Sequence, residues 1–308
     1  MSGGERAIAA GLGRFFPTDP RRVPIPIGDD AALVRTPGRG QLVACDPVIE
    51  GVHFEAGTPL ARVGRKAVAR NLSDIAAMGG TPDFLLVAAL LPDGFSARDR
   101  AKLFGGIRAE ANAHGCLVVG GDLARTPGPL TLVVTVIGHP GARPLTRSGA
   151  RVGDAIHVTG PLGGSLESGR HLRLVPRLAE GRWLAERRAV TAAMDISDGL
   201  LLDLRTLLAA AGVPGAVLEA RAVPIHPAAR RRAGGDAPAA RARALRDGED
   251  HELLFTVRGG ADLGDGGPLR ACARQPIGTL VERPGLWLRA DDGSLQPLRA
   301  EGYEHDLL

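Results

Sequence analysis

The sequence predicts an α/β (α+β) fold in two domains. Segments with strand and helix patterns alternate in both halves of the chain. A Pro/Gly/Arg stretch at residues 139–150 separates the halves and reads as a linker, which divides the chain into domains 1–140 and 150–308. A length of 308 residues suits two ordinary domains, and the 44% hydrophobic content allows each a core. Only 3% of the residues are aromatic, so that core is aliphatic and alanine-rich. The 43 glycines and 23 prolines lie between continuing apolar runs and mark turns, not disorder.

In chain order, residues 5–16 read as a short helix. Residues 25–34 are an apolar pattern interrupted by Gly28, Asp29 and Asp30, which suggests a loop between strands. Gln41–Ala44 is a strand running into Cys45 and Asp46, and the segment 48–54 carries Glu50, Gly51 and His53. Across 66–80, Val68, Leu72 and Ile75 recur at helical spacing, and Gly79-Gly80-Thr81-Pro82 supplies a stop. Asn71 and Asp74 share one face of that helix. Phe84–Leu91 is a strand. Ser96 and Asp99 have capping-box spacing and open a helix that runs through His114 to Gly115. Cys116–Val119 reads as a short buried strand, with Gly120-Gly121-Asp122 turning out of it, and Leu130–Ile137 as a β-branched strand.

After the linker, 154–159 is a strand and Gly160–Ser165 a glycine-rich turn. Residues 166–192 read as helical, broken near Pro176. Asp195-Ile196-Ser197-Asp198-Gly199 leads into a leucine-striped helix that Ser197 or Asp198 would cap and Gly212 would end. Residues 226–246 read as an exposed helix with a loop, and Gly248–His251 as the lead into a strand at 252–257. Short strands follow at 276–281 and 286–289.

The formal charge is +4, carried almost wholly by arginine, with lysine only at 66 and 102. An Arg- and Ala-rich vocabulary without nucleic-acid motifs does not point to nucleic acid. Cys45, Cys116 and Cys272 are odd in number and widely spaced, without a CxxC pair. That argues against a disulfide framework or zinc site and fits a reducing cytoplasm. There is no signal-peptide pattern, and the longest apolar runs are of strand length, too short to span a bilayer.

Seven aspartates share one context: Asp29, Asp30, Asp46, Asp74, Asp122, Asp195 and Asp198. Most sit where an apolar run meets a glycine turn or a helix start. Aspartate is common in turns for local reasons, because its carboxylate accepts from nearby amides. If the fold gathers these acids, their repulsion calls for a cation, and hard oxygen ligands select Mg²⁺, Ca²⁺ or Mn²⁺. Magnesium held by few carboxylates completes its shell with water and phosphate oxygens, which points to polyphosphate chemistry. No GxxxxGK[ST] loop and no protein-kinase motif set occurs. Gly160–Ser165 reads either as a phosphate loop or as a tight connection. His53, Arg147 and Tyr303 each have an ordinary reading, as a structural histidine, a solvated arginine and a tail anchor.

Several blocks together resemble the thiamine-monophosphate kinase family of the aminoimidazole-ribonucleotide synthetase-like superfamily. They are Ile27–Ala32, Asp46 with Gly51–Phe54, Asn71–Gly79, Gly120–Asp122, Arg147–Ala150, Asp195–Leu200, Gly248–Asp250 and Gly302–His305. The resemblance runs in order from about residue 5 to residue 305. It implies an N-terminal domain that binds ATP and magnesium and whose sheet pairs across a homodimer. It also implies a C-terminal α/β domain that completes the active site. The implied reaction converts ATP and thiamine monophosphate to ADP and thiamine diphosphate by direct in-line transfer, the last step of thiamine diphosphate biosynthesis. By position, the resemblance assigns Asp29, Asp46, Asp74, Asp122, Asp195 and Asp198 to several magnesium ions. Asp29, Gly121, Asp122, Arg147 and Ser197 fall to ATP, and His53, Glu249, Asp250 and Tyr303 to the substrate. No covalent nucleophile is expected, since the acceptor phosphate attacks by itself. Ala44-Cys45, Asp247, His251 and a shortened 166–194 segment depart from the family pattern. The alternatives are a sister ATP-dependent enzyme with another acceptor, which the His53 and Tyr303 motifs argue against, and a non-catalytic nucleotide-binding homologue, which the retained acids argue against.

Overall fold

Alternating burial builds the first sheet. The computed structural model describes residues 19–25, 29–35, 40–264 and 266–303. The expected helix at 5–16, Gly28 and the terminal Glu304-His305 lie outside them. Strands β1 (Ala32–Arg35), β2 (Gly40–Ile49), β3 (Gly80–Pro92), β4 (Leu117–Thr126) and β5 (Thr131–Pro140) lie in the order β1-β2-β5-β3-β4. Leu132, Val134 and Val136 of β5 are buried while the residues between them are half-exposed, the period of a strand with one covered face. Every pairing is antiparallel except β3 with β4.

Two helices cover the buried face. Helix α1 (Leu60–Ala77) starts earlier than the 66–80 spacing predicted, behind Pro59. Its added first turn crosses α2 (Ala97–Ala113) at very close range. A Cβ on Gly64 would stand 2.3 Å from the Leu103 carbonyl oxygen, and one on Gly106 would stand 2.1 Å from that of Ala61. Ser96 caps α2 as its spacing predicted: its hydroxyl accepts from the Asp99 amide (3.1 Å) and donates to the Asp99 carboxylate (2.7 Å).

Strand β4 corrects two expectations. It is ten residues long and exposed, not short and buried, and Gly120-Gly121-Asp122 continues it instead of turning away. Gly121 is needed there for close approach, since a Cβ would meet the Val87 carbonyl oxygen at 1.9 Å.

The second sheet has the order β12-β11-β8-β10-β6-β9-β7. Its members are β6 (Ala155–Val158), β7 (Val190–Asp195), β8 (Gly215–Glu219), β9 (Leu253–Val257), β10 (Gly278–Val281), β11 (Gly285–Arg289) and β12 (Leu295–Leu298). The stretch expected to be helical at 166–192 is helical only in two short pieces, and its last residues enter strand β7. It holds a 3₁₀ turn at Arg170–Arg173 and only one α-helix, α3 (Leu178–Ala185), because Gly169 adopts a left-handed conformation and Pro176 interrupts. Helix α4 (Leu200–Ala211) is capped by neither Ser197 nor Asp198. Gly199, at φ 111°, is its N-cap, and Asp203 reaches back to accept from the Asp198 and Gly199 amides. Residues 226–246 form two helices, α5 (Pro227–Arg232) and α6 (Ala237–Arg246). A last short helix, α7, spans Ala271–Arg274.

Alternation along β9 divides this sheet's faces. Leu254 packs with the α4 leucines, whereas Leu253, Phe255 and Val257 join the core of the first half. One apolar core therefore runs across the 139–150 stretch, and α1 lies inside it. Helix α3 lies on α1 so closely that a Cβ on Gly181 would stand 2.0 Å from the Ala76 carbonyl oxygen. No helix among the described residues is long and apolar enough to cross a membrane.

These contacts predict opposite outcomes for adjacent glycines. Gly106→Val should cost about 2 kcal/mol or more, because the backbone it meets cannot yield. Gly105, with open space at its Cβ, should gain about 0.5–1 kcal/mol on replacement by alanine. Thermal melts of the two variants check both signs.

Candidate active site

Three carboxylates from distant segments meet where α1 faces the second sheet. Oxygens of Asp30, Asp74 and Asp195 all lie within 4.8 Å of one another. Asp30 precedes β1, Asp74 is on α1 and Asp195 ends β7. Burial pushes the Asp30 carboxyl up to about 7, against the opposing pull of Arg147. Burial likewise raises Asp74 well above the usual carboxylate range, and Asp46, Asp195 and Asp30 repel its charge further. Asp195 behaves oppositely. Burial works to raise it, but His251, Ser73 and Arg147 hold it at about 2. Three such groups cannot all ionise together without a counter-charge. The donor set is all hard oxygen and crowded with negative charge, so it fits a Mg²⁺-like cation.

The neighbours fix this cluster. Arg147 Nε lies 2.9 Å from Asp30 Oδ2, and the Arg147 amide donates to Asp29 Oδ2 at 3.2 Å. Ser73 Oγ donates to Asp195 Oδ2 at 2.7 Å, and His251 Nδ1 stands 3.2 Å from the same oxygen. His251 Nε2 lies 3.3 Å from Glu249 Oε2. Although burial lowers its pKa, the two carboxylates bring His251 to about 9. Glu249 is held well below the usual range: burial would raise it, but His251, Lys66 and Arg70 outweigh that.

A cleft adjoins this chain of contacts, lined by His53, Arg70, Ser197, Asp198, Glu249 and Tyr303, among others. His53 Nδ1 accepts from the Ile49 amide at 3.0 Å, so its neutral ring carries the proton on Nε2. The Tyr303 amide donates to the Asp198 carbonyl at 2.9 Å, which seats the tail beside the cleft.

The other expected residues fall as follows. Asp46 lies on β2, with Oδ2 3.3 Å from Arg70 Nε and its amide donating to Asn71 Oδ1 at 3.0 Å. Asp29 is turned to the Arg147 and Asp30 amides, while its neighbour Asp30 enters the cluster. Asp122 and Gly121 lie on the exposed strand β4. Asp250 is turned from the cleft, accepting from the Gly163 amide at 2.7 Å and paired with Arg170. The Gly164 amide donates to Asp247 at 2.8 Å. The Gly163 and Gly164 amides are thus taken by carboxylates and that of Leu162 by the Pro224 carbonyl, which favours the tight connection over a phosphate loop. Sequence reasoning missed Lys66, Arg70 and Ser73. The only available signal was their place on the same helix as Asp74.

Residues 28–139 match the family described as AIR synthase related protein, N-terminal domain. A thiamine-monophosphate kinase from Rhodopirellula baltica is 39% identical over 302 residues, covering 92% of each chain. A crystal structure of thiamine-monophosphate kinase from Stenotrophomonas maltophilia is 33% identical, with a TM-score of 0.72 over 94% of this chain and 96% of that one. The structure of AaThiL complexed with AMPPCP and TMP is 27% identical, with a TM-score of 0.84 over 98% of this chain and 97% of that one.

The cluster predicts cation-linked stability. Added Mg²⁺ should raise the melting temperature, by the equivalent of about 2.7 kcal/mol at a hundredfold excess over its Kd. Asp74→Asn in EDTA should melt no lower than the wild type, since it removes a carboxyl whose ionisation burial and the neighbouring acids oppose, and should lose most of the magnesium shift. Differential scanning calorimetry with and without magnesium reads both.

Proposed function

The chain belongs to the thiamine-monophosphate kinase family, and on that premise we propose that it transfers the γ-phosphoryl group of ATP to thiamine monophosphate, giving ADP and thiamine diphosphate. The observation that carries this reading is the Asp30–Asp74–Asp195 cluster, linked through His251 and Glu249 to a cleft that both halves line. The relative bound to AMPPCP and TMP supports it.

Magnesium would be held by Asp30, Asp74 and Asp195, with Asp46 close enough to repel the Asp74 charge and Asp198 lining the adjoining cleft. When bound, it would neutralise phosphate oxygens and bring two anionic phosphates together. The chain's own residues position and screen charge. Ser73 and His251 orient Asp195, which keeps it ionised. The Arg147 guanidinium, pinned beside the cluster, suits a phosphate partner because its fork matches phosphate oxygens. Glu249, His53 and Tyr303 are the proposed acceptor contacts, and Tyr303 presents a ring that suits a flat heteroaromatic face. The acceptor phosphate is deprotonated at neutral pH, so no strong general base is required.

The assembly proposed is a homodimer. Among the described residues strand β4 is an edge without a second neighbour, carrying Leu117 (59% exposed), Val119 (57%) and Leu123 (59%), beside Phe84 and Leu86 of β3. An open edge with an apolar face invites a second copy of the same sheet. Three unpaired cysteines suit a reducing cytoplasm.

Incubation with ATP, magnesium and thiamine monophosphate should yield thiamine diphosphate, with Asp74→Asn at least a hundredfold slower, as expected for loss of charge stabilisation. No product above that variant would overturn the reading. Val119→Lys with Leu123→Lys should convert the dimer to monomer by light scattering.

A further inference from the structure

We propose that Lys66 is a positioning residue for the acceptor cleft, tying the His53 turn to the Glu249 turn across the two halves of the chain. The inference rests on the kinase reading above. Lys66 is 1% exposed, on the face of α1 that meets the second sheet. Its ammonium donates to the His53 carbonyl at 2.6 Å and stands 2.9 Å from Glu249 Oε2. His53 and Glu249 both line the cleft, whereas Lys66 lies behind them. It therefore acts through the walls and not on the substrate.

Two features show that this contact does more than fill space. Burying an ammonium is unfavourable unless it is paired, and an apolar residue of similar length would suit a plain core position better. The chain is otherwise almost purely arginine in its basic residues, yet a lysine stands here. A compact point charge reaches two acceptors at this depth, where a planar guanidinium needs more room. The second feature is backbone conformation. Glu249 (φ 61°) and His251 (φ 48°) are the non-glycine residues with positive φ among those described. Such conformations persist only where the surroundings over-determine them. Glu249 is held from three sides, by Lys66, by Arg70 at 3.5 Å and by His251 at 3.3 Å. The Glu249 carbonyl also accepts from Ser165 Oγ at 2.6 Å. Without Lys66, the turn can relax and the cleft wall moves away from His53.

The test separates positioning from mere stability. In Lys66→Met, the KM for thiamine monophosphate should rise about tenfold or more while the KM for ATP stays within about twofold. Lys66→Arg should recover part of that loss. Glu249→Gln should raise the same KM, and the double variant Lys66→Met/Glu249→Gln should be no worse than the poorer single one. If Lys66→Met does not fold, the cycle of Lys66→Arg with Glu249→Gln carries the test, and additive effects there overturn the assignment. Equal shifts in both KM values, or none, also overturn it. A wild-type chain that makes no thiamine diphosphate overturns the kinase reading, and this assignment with it. A wild-type chain that makes it, beside a Lys66→Met variant with unmoved KM, overturns the assignment of Lys66 alone.

Discussion

From Lys66 onward helix α1 has almost no solvent face, and the rest of the molecule follows from that constraint. One side packs on its own sheet and on α2, the other on α3 and the second sheet. A helix so enclosed must pair every polar side chain it carries, because an unpaired buried polar group is costly. Asn71 joins the Asp46 amide to the Ala67 carbonyl, and Ser73 bonds Asp195. Lys66 and Arg70 both meet Glu249. Asp74 alone finds further carboxylates at its end of the helix, and a cation is the natural way to satisfy it. Structural need and chemical use thus coincide on one element.

That constraint also explains why the proposed active site is shared between the halves. The residues that satisfy α1 come from both. Asp46 and His53 belong to the first sheet and its following turn, and Asp195, Glu249 and His251 to the second. His251, which departs from the family pattern, sits between two carboxylates as a buried cation and holds both in place. Asp247, another departure, is bonded to the Gly164 amide and takes part in closing the glycine turn.

Much of the site was legible as acidic turns. Asp195 could be singled out because it stands at a junction of apolar pattern and glycine, and Asp74 because it shares a helix face with Asn71. Between Asp29 and Asp30 the resemblance picked Asp29, the neighbour of the residue that enters the cluster, since adjacent residues at a strand entrance point in different directions by a backbone rotation that no pattern records. Asp30 enters the cluster and Asp29 turns to the Arg147 amide. Glu249 and Asp250 pose the same problem, resolved by a left-handed residue that points one side chain at the cleft and the other at Gly163. Lys66 was invisible for a different reason: its partners lie in the His53 turn and, far along the chain, at Glu249.

The fold divides along the same line. Local chemistry sufficed for the elements set by short-range forces: the alternation of β5, the Ser96 cap of α2, the leucine stripe of α4 and the stop at Gly212. Tertiary contact decided the rest. The first turn of α1 forms because Gly64 and Gly106 let two helices touch. Gly120-Gly121-Asp122 stays in strand β4 because Val87 pairs beside it, although glycines alone read as a turn. The sequence by itself determined the alternating elements, the acidic vocabulary and the family resemblance, all of which are written in neighbouring residues. Only the folded chain decided which acids converge and which cation stands behind the cleft, because those contacts join residues that spacing along the chain does not relate.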